Sequence, residues 1–141
     1  MMRTTHLPLY VLLSACYTSA RDAEVEAIAN TILGEARGEG TQGMKLVADV
    51  IHSRVKSEVY PDSAIEVVRQ RHQFYGSHYK CKNWQSTEAV LAVNLAKRLI
   101  KGDDPIPQSQ YTHFWSGNAL PSWAKGSKPY KFKNHKFIQI H

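Results

Sequence analysis

Hydrophobic residues recur at three- and four-residue spacing in four stretches of the chain, as they do in helices with one buried face. The first stretch predicts a helix over about residues 22–36, and Ser19 with Asp22 has the spacing of a capping box at its start. The other three helices are predicted to begin near Thr41, Ser63 and Ser86. Gly102 is predicted to end the last of them.

Beyond residue 107 the pattern changes to short segments rich in aromatic and β-branched residues. Residues 111–115 and 136–140 are predicted to be strands, and residues 133–135 to turn the chain back toward the second one. Residues 71–83 form a polar, aperiodic loop long enough to line a cleft. The sequence therefore predicts a mainly helical α+β fold with a small C-terminal β element, and 141 residues are enough for one domain.

The first twenty residues have the basic start and short apolar core of a secretory signal. Residues 13–16 resemble the lipobox of bacterial lipoproteins, in which Cys16 would be lipidated and would attach the protein to a membrane. Signal-peptidase cleavage after Ala20 is the alternative. Under either interpretation the folded domain is predicted to cover residues 21–141, in a protein exported to the periplasm or lipid-anchored in the cell envelope. A frayed N-terminal arm of a cytoplasmic or phage-encoded protein is the competing interpretation.

Glu35 lies where the first predicted helix ends, in the sequence Gly-Glu-Ala-Arg-Gly-Glu-Gly of residues 34–40. It is three residues beyond Ile32 and seven beyond Ile28, so it shares the apolar face of the helix. Burial raises the pKa of a carboxyl group and lets it hold a proton near neutral pH, as the general acid of a glycosidase must. We therefore predict that Glu35 is a catalytic acid.

Glu39 is the second carboxylate of this segment, four residues further on. Gly38 and Gly40 disfavour continuation of the helix, so Glu39 is predicted to sit in a loop. Two roles remain open for Glu39. It is either a second catalytic carboxylate or a structural residue that orients Arg37 or hydrogen-bonds to the loop. If it were catalytic, a carboxyl separation of about 5 Å would predict retention of configuration, and one of roughly 6.5–9.5 Å would predict inversion.

Several segments resemble the catalytic domain of the SleB-type cell wall hydrolase family, which includes the spore cortex-lytic enzymes. The resemblance covers roughly residues 23–140, and the matching segments are residues 29–39, 50–55, 70–74, 121–123 and 134–137. The combination is specific because the segments keep their order, although each of the later ones is short.

The resemblance implies a lysozyme-like single domain that acts on peptidoglycan between N-acetylmuramic acid and N-acetylglucosamine. Members of the family resemble lytic transglycosylases, in which one Glu acts as acid and then as base and the product is a 1,6-anhydro sugar. The first Glu of the family motif corresponds to Glu35, which agrees with the burial argument. The chemistry calls for no metal or other cofactor, and the partners expected are peptidoglycan and no nucleic acid, with the protein a monomer.

Candidate substrate contacts are aromatic, imidazole and amide side chains, because they can stack on sugar rings and bind N-acetyl groups. Gln73 and Phe74 match the loop motif of the family. Tyr111, His113 and Trp115 alternate along a predicted strand, which places them on one face. The loop residue Trp123 completes the set; the alternative is that any of these aromatic residues belongs to the core.

Three other functions compete with the transglycosylase. The first is a muramidase that hydrolyses the strand with Glu35 and Glu39. The second is a non-catalytic module that binds glycan or nucleic acid, because the chain carries a formal charge of +6 and C-terminal lysines interleave with Tyr130 and Phe132. The third is a zinc amidase that uses some of the seven His residues, although none forms a recognised ligand motif.

Overall fold

Four α-helices precede a three-stranded antiparallel sheet in the computed structural model, which describes residues 9–105 and 110–140, with side chains from Asp22 onward. The helices are α1 (Leu9–Glu35), α2 (Gly40–Val55), α3 (Ala64–Arg69) and α4 (Thr87–Lys101). The strands are β1 (His113–Ser116), β2 (Tyr130–Phe132) and β3 (His135–Ile138). Two short 3₁₀ turns complete the fold, Tyr75–His78 and Ser122–Ala124. The predicted mainly helical α+β fold is confirmed.

Helix α1 begins at Leu9, so the predicted start near residue 22 is wrong. The chain has neither Gly nor Pro between Leu9 and Leu33, and nothing there interrupts the helix. The predicted signal over residues 1–20 lies outside the described residues for its first eight positions and for all of its side chains, Cys16 included. In the described part of the chain, no helix combines the length and the apolar character needed to cross a membrane.

The other helix boundaries show which caps form. Ser63 accepts a hydrogen bond from the N–H of Glu66, as its capping-box spacing predicts, and Ser86 accepts one from the N–H of Ala89 at the predicted start of α4. Gly102 ends α4 in the left-handed conformation with a φ of 82°. Helix α2 instead begins at Gly40, with Glu39 at its N-cap, and the predicted cap at Thr41 is wrong because that residue lies inside the first turn.

The sheet has the strand order β1-β3-β2, and both pairs are antiparallel. Phe137 stands at its centre, opposite Phe114 on one side and Tyr130 on the other. Strand β2 was not predicted, because three residues, although they alternate aromatic and lysine side chains, are too few to distinguish a strand from a loop. It forms by pairing with β3 across a turn in which Lys133 has a φ of 48°.

The main core lies between the helices and one face of the sheet. Helix α1 packs on α4 and on the 3₁₀ turn at 75–78, which brings the C-terminal end of α1 against that turn. The large apolar side chains buried almost completely include those of Ile28, Ile32, Val47, Val50, Ile51, Val67 and Phe137. A small second cluster joins Trp115, Ala124 and Ile138. Both clusters hold the elements that surround Glu35.

Candidate active site

Two glycines bring the end of α1 against the 3₁₀ turn. A Cβ atom on Gly34 would lie 2.6 Å from the carbonyl oxygen of Gly76, and one on Gly76 would lie 2.5 Å from the backbone nitrogen of Glu35. The two backbones therefore touch at a distance that no side chain would allow. Glu35 is the last residue of α1, so this contact fixes where its carboxyl group points.

The Glu35 carboxyl group is partly buried, and the N–H of Gly76 donates a hydrogen bond to its Oε1 over 2.6 Å. Burial raises the pKa of Glu35 because it disfavours the charged form, and this effect exceeds the lowering caused by the Gly76 N–H and by the nearby positive charges of His135 and Arg54. The carboxyl group thus keeps its proton to higher pH than an ordinary Glu does.

Glu35 opens into a cleft of about 640 Å³. Five of the eight predicted site residues line this cleft, and they come from four separate parts of the chain: Glu35, Gln73, His113, Trp115 and Trp123. Further lining residues were not predicted as site residues: Arg54, His72, Tyr75, Phe114, Ser116 and His135. A cleft of this size with aromatic and polar walls suits a sugar polymer or another elongated polar ligand.

Arg54 is a buried cation in the wall of the cleft, with only 3% of its surface exposed. Its Nε donates to the carbonyl oxygen of Thr112 over 2.8 Å, and its Nη1 donates to Gln73 Oε1 over 3.2 Å. The guanidinium lies 5.0 Å from the ring centres of both Tyr60 and Phe74. Arg54 therefore holds Gln73 at the cleft and joins α2 to the strand region.

His113 is held from both ring nitrogens. Tyr60 Oη lies 3.1 Å from its Nε2, and Thr112 Oγ1 lies 2.9 Å from its Nδ1. Burial lowers the pKa of His113, and the charge of Arg54 lowers it further. The ring is therefore neutral at neutral pH, and it lies 5.2 Å from the ring of Trp123, of which 46% is exposed.

Glu39 does not line the cleft. Its side chain is 3% exposed, and its Oε1 lies 3.5 Å from Nδ1 of His135, which does line the cleft. Its Oε2 has no hydrogen-bond partner among the described residues. Lys133 Nζ donates to the Glu39 carbonyl oxygen over 3.0 Å. Glu39 thus reaches the site only through His135.

The structure places Phe74 and Tyr111 away from the cleft as well. Phe74 is 4% exposed and packs against Phe114, with ring centres 6.2 Å apart. Tyr111 precedes β1 and stacks on Tyr130 at 5.8 Å, so it does not share a strand with His113 and Trp115. Among the described residues, no three His, Cys, Asp or Glu side chains form a group that could hold a metal ion.

Residues 38–138 match the family described as Cell Wall Hydrolase. The chain belongs to this family. The match begins three residues after Glu35, and it includes Glu39 and every residue that lines the cleft except Glu35. The predicted membership of the SleB-type cell wall hydrolases is thereby confirmed.

Individual relatives agree with the family match. The chain is 32% identical over 104 residues to a spore cortex-lytic enzyme of Oceanobacillus iheyensis, an alignment that covers 71% of this chain and 35% of that relative. It is 27% identical over 126 residues to the cell wall hydrolase CwlJ of Bacillus subtilis, covering 85% of this chain and 87% of that protein. The chain therefore spans about a third of the length of the spore cortex-lytic enzymes and most of the length of CwlJ.

A solved structure agrees with the fold. The catalytic domain of the Bacillus cereus SleB protein superposes with a TM-score of 0.64 at 25% identity, covering 84% of this chain and 91% of that domain. The lysozyme-like architecture expected from the resemblance is thereby confirmed for this chain.

Arg54 and His135 were not predicted as site residues, although the sequence contains a signal for each of them. Arg54 lies among the apolar residues of α2, where a cation must find partners if the helix packs on a core. His135 lies in the segment 134–137 that carries part of the family resemblance. Neither position reveals its partner, because Thr112 and Glu39 are distant in sequence.

Proposed function

We propose that this cell wall hydrolase cleaves the glycan strand of peptidoglycan between N-acetylmuramic acid and N-acetylglucosamine as a lytic transglycosylase, with Glu35 as general acid and base. The observation that carries the proposal is the position of Glu35: a partly buried carboxyl group with a raised pKa, at the edge of a cleft large enough for sugar rings. The names of the relatives, which refer to the spore cortex and the cell wall, support the choice of polymer.

The proposed reaction needs one proton donor that later becomes a base. Protonated Glu35 gives its proton to the bridging oxygen, and the bond between that oxygen and C1 of the muramic acid breaks with its electron pair on the oxygen. The Glu35 carboxylate then takes the proton of the C6 hydroxyl of the same sugar while that oxygen attacks C1. The product is a 1,6-anhydro sugar, and Glu35 is protonated again.

The surrounding groups fit these two steps. The N–H of Gly76 holds one oxygen of Glu35 in place and stabilises the carboxylate that forms after the first proton transfer. The positive charges near it, on His135 and Arg54, act in the same direction. Trp123 and the neutral His113 provide a flat surface and polar atoms for a sugar ring.

Glu39 takes a positioning role in this proposal. A nucleophile or a base that activates water must reach the reacting sugar, whereas the Glu39 side chain is buried behind His135 and does not line the cleft. We propose that Glu39 orients His135 beside Glu35. Hydrolysis by Glu35 and Glu39 together then becomes the second candidate, which the released products distinguish.

The cell envelope is the site of action that follows from this substrate. Export by the predicted signal over residues 1–20, with lipid attachment through Cys16 or cleavage after Ala20, remains part of the proposal, as does the division into that signal and a catalytic domain over residues 21–141. A phage-encoded lysis protein would meet the same polymer.

The test is mass spectrometry of the fragments that the protein releases from purified peptidoglycan. The proposal predicts fragments that end in 1,6-anhydro-muramic acid, released by wild type and by a Glu26→Gln control, whose Glu is exposed on the same helix. Fragments with reducing ends would instead identify water as the nucleophile and the protein as a muramidase. Binding to peptidoglycan without any released fragment would indicate a binding module.

A further inference from the structure

Two further concavities lie beside the cleft at Glu35. The first has a volume of about 600 Å³ and shares Glu35 and Tyr75 with the cleft. The second, also about 600 Å³, shares Arg37, Tyr79 and Lys82 with the first. The three concavities therefore lie next to one another, with Glu35 at the boundary between the cleft and the other two, and together they are called the groove.

The two sides of Glu35 differ in chemistry. The cleft carries Trp and His side chains, whereas the remaining groove is lined by Arg37, Lys80, Lys82 and Lys133, with Glu88 as the one carboxylate among the lining residues that lie beyond Glu35. This side of the groove is therefore cationic, and it begins two residues after the proposed acid.

These cations have few partners within the chain. Among the residues that the structure describes, no carboxylate oxygen lies within 4.0 Å of the charged groups of Arg37, Lys80 or Lys82. Arg37 lies over the ring of Tyr79 at 5.3 Å. Lys133 donates to the Glu39 carbonyl oxygen, which keeps its ammonium group at the groove. Exposed cations gathered in a concave surface without carboxylate partners suit an anionic ligand.

Peptidoglycan carries such an anion close to the bond that is cleaved. Each muramic acid bears a lactyl ether that is extended by a peptide stem with free carboxylates, so the stem leaves the strand at the sugar that reacts. We propose that Arg37, Lys82 and Lys133, here called the cationic arm, bind the carboxylates of this peptide stem, a proposal that rests on the proposed function. The cleft then holds the sugars, and the cationic arm selects strands that still carry peptides.

Binding of soluble muropeptides tests this directly. The Glu35→Gln variant is titrated with a disaccharide that carries a tetrapeptide stem and with the same disaccharide without peptide. The peptide-bearing form is expected to bind about five- to tenfold more tightly, as charge-assisted hydrogen bonds predict. Adding Lys82→Gln should remove most of this preference, and Arg37→Gln should reduce it. The matched control is Lys97→Gln, an exposed lysine of α4 outside the groove, which should leave it unchanged.

Turnover of the full chain provides the second readout. On glycan strands that keep their stems, Lys82→Gln should lower kcat/KM about fivefold, and on strands stripped of peptides by an amidase it should change little. Equal affinity for the two muropeptides, or a preference that survives Lys82→Gln, would overturn the proposal. So would an effect of Lys82→Gln that is confined to walls carrying phosphate polymers. If wild type cleaves neither kind of strand, the proposed function fails, and the binding comparison still decides the role of the cationic arm.

Discussion

The backbone N–H of Gly76 donates to Oε1 of Glu35 over 2.6 Å, across 41 residues of sequence. This bond lowers the pKa of Glu35, while burial of the same carboxyl group raises it by more. The balance keeps Glu35 protonated to higher pH than an ordinary Glu and still offers a donor to the carboxylate once the proton has gone. Both properties are needed by a group that acts first as acid and then as base.

The pH dependence of kcat/KM should reflect this raised pKa. A general acid works only while it holds its proton, so activity on soluble glycan fragments should decline as pH rises through the raised pKa of Glu35. Assays between about pH 4 and pH 8 measure where that decline lies. A decline centred at the ordinary carboxyl value of 4.5 would show that burial does not control this group.

The pH dependence of thermal stability should also reflect the raised pKa of Glu35. The folded protein binds the Glu35 proton more tightly than the unfolded chain, so this site contributes stability below the unfolded pKa and loses it as pH rises through the raised folded pKa. Glu35→Gln should therefore raise Tm relative to wild type near pH 7, and the gap should shrink toward pH 4. Melting curves at several pH values measure this difference in Tm. A difference that does not change with pH would show that the Glu35 proton is not coupled to folding.

The contact between Gly34 and Gly76 should be sensitive to a single methyl group. A Cβ on either residue meets backbone atoms at 2.5 to 2.7 Å, which neither element can relieve without moving. Gly76→Ala should therefore lower the free energy of unfolding by about 1–3 kcal/mol, and should reduce activity because the N–H moves away from Glu35.

The control is Gly102→Ala. Gly102 has a φ of 82° and open space around its Cβ position, at the end of α4. The Gly102→Ala variant should lose about 1 kcal/mol of stability and keep full activity. Equal specific activities of the two folded variants would show that the glycine contact does not position Glu35.

Trp123 should contribute to substrate binding more than to stability. Its ring is 46% exposed at the cleft, where it lies against His113 and Trp115. Trp123→Ala should raise KM about five- to tenfold with a smaller change in kcat, because a stacking surface is lost. Leu120→Ala serves as control, since Leu120 is 60% exposed and does not line the cleft. An unchanged KM in Trp123→Ala would remove this residue from the binding surface.

Local signals explain which parts of the fold were predictable. Ser63, Ser86 and Gly102 are caps that act within one helical turn, and the predicted boundaries at those residues agree with the structure. At the start of α1 the local signal was misleading: Ser19 and Asp22 have the spacing of a capping box, but no Gly or Pro between Leu9 and Leu33 interrupts the helix. Strand β2 depends on pairing with β3, which no property of three residues alone reveals.

The residues of the candidate site also differ in whether a local sequence pattern indicates them. Glu35 was predictable because its place on the apolar face of α1 follows from its spacing to Ile28 and Ile32. Arg54 and Glu39 contact residues that are distant in sequence, Thr112 and His135. No local sequence pattern predicts such contacts. Phe74 is next to the cleft residue Gln73 but packs into the core, since adjacent side chains point in different directions.

The central claim is that Glu35, and not Glu39, is the catalytic carboxyl group, and a paired substitution tests it most directly. Glu35→Gln and Glu39→Gln keep the size of each side chain, and circular dichroism confirms that both variants fold. On purified peptidoglycan, Glu35→Gln should lower kcat about a thousandfold, and Glu39→Gln, which weakens the contact with His135 but leaves Glu35 intact, should lower it less than about tenfold. Near-wild-type turnover in Glu35→Gln would contradict the claim, and an equal loss in both variants would contradict the positioning role of Glu39 and favour hydrolysis by two carboxylates.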